Sequence, residues 1–177
     1  MANINQKPSK FMYNLLHVSP AFVDEEKAVI NAIIEVSAGT INKYEMITES
    51  GQLKLDRVGY STLSYPFTYG AIPMTWDYDG DPLDVEIVNI TEPLVPGSLV
   101  EARIIGVMKF IDGGEVDDKI IAVAAKDPSV NHITRMEELP HHFLLELKNF
   151  FEQYKVLENK KVEIDNFQDQ LIAYRII

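Results

Sequence analysis

The sequence predicts a mainly β, α+β domain in which short strands come first and the sustained helices come late. Three observations carry that reading. Short apolar or alternating segments recur between Gly-, Pro- and Asp-bearing turns from Val29 to Ala125. Sustained helical periodicity begins only after Leu139. Two acidic turns that contain glycine, one around Asp79 and one around Asp112, stand at strand ends, where a barrel of short strands brings such turns to a common cleft.

In chain order, residues 1–27 read as an arm. It holds Pro8, Pro20 and the run Asp24-Glu25-Glu26, with a helical turn expected at Tyr13 to His17. The rest, 28–177, is expected to form one domain, since 177 residues suffice for a single core. Val29 to Val36 is β-branched and short, as a buried strand requires, and it carries Glu35 near its end. Residues 41–47 and 52–58 flank Glu49-Ser50-Gly51 and predict a hairpin. Its alternation puts Lys43 with Glu45 on one face, and Arg57 with Leu53 and Leu55 on one face.

Tyr60 to Tyr69 reads as an irregular aromatic lead into an acidic bend, and a strand follows from Leu83 to Ile90. Leu99 to Phe110 and Ile120 to Ala125 are the next apolar segments, separated by the second acidic turn, Asp112 to Lys119. Pro140 opens an amphipathic helix with its stripe at Phe143, Leu144, Leu147, Phe150, Phe151 and Tyr154. Asp165 with Gln168 predicts a capping box for a last helix through Leu171 and Ile172.

Composition narrows the function. Hydrophobic residues make up 46% and charged residues 24%, and no apolar run approaches a membrane span, so neither a membrane role nor disorder is expected. Met1 to Lys10 lacks the apolar core of a signal peptide, which predicts a cytoplasmic protein. The absence of cysteine removes disulfides and thiolate metal sites, and the four histidines are not spaced for zinc. A net charge of -11 argues against a nucleic-acid surface.

The chemistry points to the bend Thr75 to Glu86, where Asp77, Asp79, Asp81 and Asp84 fall close together. Carboxylates held so near repel one another, and a hard multivalent cation such as magnesium offsets that. An EF-hand does not fit. Counting from Asp77, Pro82 stands where the glycine belongs and Val88 where the glutamate belongs; counting from Asp79, those places hold Asp84 and Ile90. Taken alone, such a turn is equally well a solvated acidic bend.

The set of motifs is more specific than any one of them. Glu35, Lys43-Tyr44-Glu45, Asp56-Arg57, Tyr65-Pro66, Tyr69-Gly70, Asp79-Gly80-Asp81-Pro82-Leu83-Asp84-Val85, Asp112 with Asp117 and Lys119, and Phe150-Phe151-Glu152-Gln153-Tyr154-Lys155 occur in order. In that order the chain closely resembles the soluble, magnesium-dependent family I inorganic pyrophosphatases. The resemblance implies a five-stranded OB-like β-barrel flanked by two main α-helices, a homo-oligomer with a hexamer expected, and hydrolysis of pyrophosphate to two phosphates. It implies several Mg2+ ions, with Mn2+ as a substitute, on Asp79, Asp84, Asp112, Asp117 and Glu35. Asp81 would be the general base. Lys43, Arg57, Tyr69, Lys119, Tyr154 and Lys155 would grip phosphate oxygens, with Glu45 and Tyr65 in support. Two rival readings stay open: a phosphohydrolase of organic phosphates such as nucleotides, with Trp76 near enough to stack on a base, and a non-catalytic barrel that binds divalent cations or oligonucleotides.

Overall fold

The computed structural model describes residues 14–88 and 92–177. Residues 1–13 of the expected arm, including Tyr13 of its helical turn, and Ile90 at the end of the acidic strand lie outside the described residues. Chain order begins with α1 (Leu15–Val18) and β1 (Phe22–Asp24), then β2 (Val29–Val36), β3 (Asn42–Met46), β4 (Leu53–Val58), β5 (Thr68–Ala71) and β6 (Asp84–Val88). It continues with β7 (Leu99–Asp112), β8 (Glu115–Val116), β9 (Lys119–Ala124), α2 (His141–Gln153), β10 (Val162–Asp169) and α3 (Gln170–Ile176).

Five strands close on themselves. β2 pairs with β5, β5 with β6, β6 with β9, β9 with β7, and β7 returns to β2; only the β6–β9 pair is parallel. This ring is what the expected five-stranded barrel requires. Both of its faces are covered, which is why β2 and β9 are buried along their whole lengths and read as continuous apolar runs. Val85 and Ile87 of β6, Ile120 and Ala122 of β9, and Ile30 and Ile34 of β2 fill one cluster, which α3 closes through Ala173. The opposite parity, Val88, Ile121 and Val123, joins a second cluster under α2, where Leu147, Phe150 and Phe151 are buried.

β7 serves both clusters by changing parity. Ala102 and Ile104 face the first cluster, and after a register shift between Ile104 and Gly106 it is Val107 that does so. An extra residue in one strand flips every later side chain, so a single bulge lets this long strand bend around the ring.

The hairpin forms as expected, but β3 and β4 make a sheet of their own. The stripe of α2 packs as the periodicity predicts, with Pro140 immediately before the first helical turn. Two expectations need correction. Thr68 and Tyr69, read as the end of an irregular lead, open the buried strand β5. The capping box at Asp165 is not a cap: residues 162–169 pair with β7, and the side chain that caps α3 is Asp169, which accepts from Ile172 N at 3.0 Å. Strand pairing consumes the backbone groups that a helix starting near Asp165 would need.

Candidate active site

The acidic bend is locked by its own backbone. Asp77 N donates to Asp81 O at 2.7 Å, Asp81 N donates to the Asp79 carboxylate at 3.0 Å, and Gly80 takes φ +91°, which side chains disfavour. Thr75 Oγ1 then accepts from Leu83 N at 2.9 Å, fixing where β6 starts. Asp84 is the first residue of that strand and stands opposite Lys119, the first residue of β9. Backbone register therefore sets the charge pair at the centre of the site.

A cleft of about 160 Å³ opens there. Its walls include Glu35 from β2, Lys43 and Glu45 from β3, Asp79 and Asp81 from the bend, and Asp84 from β6. Asp112 and Asp117 from the second acidic turn, Lys119 from β9, Tyr65 from the aromatic lead, Tyr69 from β5, and Tyr154 and Lys155 from the end of α2 complete it. Every residue expected in the site lines this cleft except Arg57. That guanidinium lies in an adjoining pocket of about 10 Å³, whose walls Lys43, Tyr65 and Tyr154 are shared with the cleft.

Charge is organised by burial. Lys119, 3% exposed, bridges the carboxylates of Asp84 and Asp117. Burial works against its charge, but the two aspartates hold its pKa above the ordinary lysine value. Asp117 is pushed above the usual carboxylate range, chiefly by burial, with Asp84 and Asp79 adding to the push against Lys119. Asp81 is raised as well, by burial first and then by Asp79, Glu45 and Asp84. Glu35, pushed up to about 8 by burial, accepts from Met46 N at 2.7 Å and so ties the hairpin to the ring. Lys155 pairs with Asp112 at the far wall.

An aromatic wall backs these charges. Tyr65 packs on Phe150 at 4.7 Å and on Tyr69 at 5.8 Å, and Phe150 stands 5.3 Å from Tyr154. Burial raises the pKa of all three tyrosines, which keeps their hydroxyls protonated as neutral donors. The donor set fits a hard divalent ion, because it is entirely carboxylate oxygen and mutually repulsive. Among the described residues no group of three such ligands stands together for a metal; the ammonium groups of Lys119 and Lys155 lie against the carboxylates instead.

Trp76 does not stack over this cleft. It lines a separate pocket of about 720 Å³ with Lys109, Val116 and Arg175, which counts against the base platform that a nucleotide reading would need. Two carboxylates escaped the sequence reading: Glu158, which pairs with Arg57, and Glu86, buried in β6. Glu158 follows Tyr154-Lys155 closely enough that the turn after α2 was a clue; Glu86 closes the acidic stretch that begins at Thr75, but its place in the alternating strand gave it no role of its own.

A closed five-stranded ring whose two acidic turns meet lysines and tyrosines in one cleft defines the class. Residues 32–177 match the family model described as inorganic pyrophosphatase, and the chain belongs to that family. Among curated relatives it is 49% identical over 143 residues to soluble inorganic pyrophosphatase PPA1 of Solanum tuberosum, covering 81% of this chain and 67% of that one. It is 48% identical over 139 residues to soluble inorganic pyrophosphatase 5 of Arabidopsis thaliana, covering 78% and 64%. The matched stretch thus spans about two thirds of the plant proteins' length. The crystal structure of inorganic pyrophosphatase from Thermus thermophilus superposes with a TM-score of 0.85 at 37% identity, over 93% of this chain and 94% of that one. That of an inorganic pyrophosphatase from Neisseria gonorrhoeae gives 0.87 at 34% identity, over 92% and 94%.

Proposed function

We propose that the protein hydrolyses inorganic pyrophosphate to two orthophosphates. The observation that carries this reading is the meeting of five elements' carboxylates with Lys43, Lys119 and Lys155 in one cleft. A cation buffer has no use for the lysines, and an anion site has no use for the carboxylates. Pyrophosphate bound with its counter-ions uses both.

Divalent ions, Mg2+ with Mn2+ as a substitute, would be held by Asp79, Asp84 and Asp117, with Asp112 and Glu35 serving further ions; when bound they offset phosphate charge and acidify water. Asp81 takes the proton of the attacking water as its oxygen bonds to one phosphorus. The bridging P–O bond breaks, its electron pair stays on the bridging oxygen, and the second phosphate leaves. A carboxylate whose pKa is raised above its ordinary value by burial and like charges is a stronger base than a free one. Lys43, Lys119 and Lys155 act as point charges on phosphate oxygens, and Arg57 offers a planar pair of donors from the side pocket. Tyr69 and Tyr154 donate neutral hydrogen bonds, while Glu45 and Tyr65 hold their neighbours in place.

The same reading takes residues 1–27 as an arm on a single domain, the assembly as a hexamer and the compartment as cytoplasm, with neither nucleic acid nor membrane as partner. In its support, no helix among the described residues is long and apolar enough to cross a membrane.

Phosphate release from magnesium pyrophosphate, compared between wild type and Asp81→Asn with an aryl phosphate as control, tests the reaction and the base together. The expected result is magnesium-dependent release that falls by about two to four orders of magnitude in the variant, with the aryl phosphate intact. An inert wild type refutes the enzyme reading. Near-normal turnover by the variant removes Asp81 from its role.

A further inference from the structure

The β3–β4 hairpin carries Lys43 and Arg57 yet pairs with no strand of the main sheet. Side chains and loops therefore decide where its cations sit. At the β3 side Glu35 accepts from Met46 N. On the β4 side, one salt bridge leaves the hairpin among the described residues: Arg57 Nε to Glu158 Oε1, at 3.6 Å.

Glu158 is well placed to act as a fixed point. Its side chain is 10% exposed, and its N–H donates to the Lys155 carbonyl at 3.0 Å within the short 3₁₀ turn Val156–Glu158 that follows α2. The chain leaving α2 thus presents Tyr154 and Lys155 to the cleft and the Glu158 carboxylate to the hairpin. Asp56 takes the other edge of the guanidinium, accepting from Nη1 at 2.6 Å, but it is the neighbouring residue on the same strand and is 32% exposed. At 3.6 Å the Glu158 carboxylate attracts the Nε side of the guanidinium as an ion pair, and the Nη edge is the one that can meet a phosphate. An arriving phosphate displaces Asp56, which returns to water easily, and leaves the more buried Glu158 in place.

We propose that Glu158 is a positioning residue for pyrophosphate binding, whose carboxylate pairs with Arg57 Nε and holds the hairpin's guanidinium beside Tyr154 while substrate displaces Asp56 from its Nη edge. The assignment rests on the pyrophosphatase reading above, and its test separates the two.

KM and kcat for magnesium pyrophosphate, melting temperature, and calorimetric affinity for inorganic phosphate are compared in wild type, Glu158→Gln, Arg57→Lys and the double variant. Glu158→Gln raises KM by about threefold to tenfold with kcat within about twofold, the size expected of one partly buried charge-assisted contact. In the Arg57→Lys background the same substitution adds nothing, because lysine has no Nε edge to hold. An unchanged KM, an equal KM factor in both backgrounds, or a fall in melting temperature with KM intact overturns the assignment. Should Glu158→Gln not fold, Glu158→Asp keeps the charge but shortens the reach, and carries the same expectation of a raised KM. If wild type releases no phosphate, the pyrophosphatase reading fails, and phosphate affinity decides Glu158 by itself: weaker binding in Glu158→Gln upholds the tether, whereas equal binding, or none by wild type, refutes it.

Discussion

Glu86 lies on β6 two residues beyond Asp84, is fully buried, and among the described residues has no hydrogen-bond partner on either carboxylate oxygen. Of its two strand neighbours of the same parity, Val88 belongs to the apolar cluster under α2 and Asp84 lines the cleft. Burial raises its pKa well above the ordinary 4.5, against the pull of Lys119 and with a further push from Asp84. An unfolded chain therefore releases this proton near its ordinary value while the folded protein keeps it, so this group's contribution to stability declines as pH rises from there toward the folded pKa. Glu86→Leu replaces an unpaired polar group by an apolar one in an apolar setting and is expected to stabilise the fold by about 1–3 kcal/mol near neutral pH. The gain should be smaller at about pH 5 than at about pH 8. Urea melts at the two pH values check this; a variant less stable than wild type at the higher pH would show that the carboxylate has a partner the fold depends on.

At the scale of elements, what the sequence revealed and what it hid have physical reasons. β2, β9 and α2 were legible because each carries its own period, continuous apolar residues for strands buried on both faces and a helical stripe for the helix. The aspartates of the site were legible because they cluster in two turns, whereas Glu35, Lys43, Tyr154 and Lys155 were reached only through the family resemblance; the location of Arg57 outside the main cleft was not legible, since it depends on how a separately paired hairpin docks. β10 was misread because Asp165 and Asp169 offer similar caps, and only pairing with β7 decides between them. β5 was missed because Gly70 and the preceding Pro66 argue against a strand locally. The ring explains that glycine: a Cβ at Gly70 would stand 2.2 Å from the Ile33 carbonyl oxygen of β2. Gly70→Ala therefore drives backbone against backbone, and a loss of about 3 kcal/mol or more is expected, at or beyond the upper end of ordinary overpacking. A melting temperature within a degree or two of wild type would mean that β2 and β5 separate without cost, which a closed ring does not allow.

The whole molecule sets acidity against compactness. The chain carries a net charge of -11, and several of its carboxylates converge on one cleft where Lys119 and Lys155 neutralise only part of the charge. Folding gathers those groups and unfolding disperses them, so a divalent cation that binds the gathered set stabilises the folded state alone. At a concentration about a hundredfold above its dissociation constant, one such ion adds about 2.7 kcal/mol, which in a chain of this size raises the melting temperature by about 5–10 °C. Magnesium should produce that shift and chelation should reverse it. Sodium chloride at matched ionic strength should produce much less, because screening does not reproduce coordination inside a cleft. The Asp84→Asn/Asp117→Asn variant separates site binding from general charge relief: it has two fewer negative charges and also lacks two proposed ligands. If its melting temperature still rises with magnesium as far as that of wild type, the cation acts elsewhere on the acidic surface and the cleft is not the site; if the rise is lost, the same carboxylates that cost the fold stability are the ones that hold the ion.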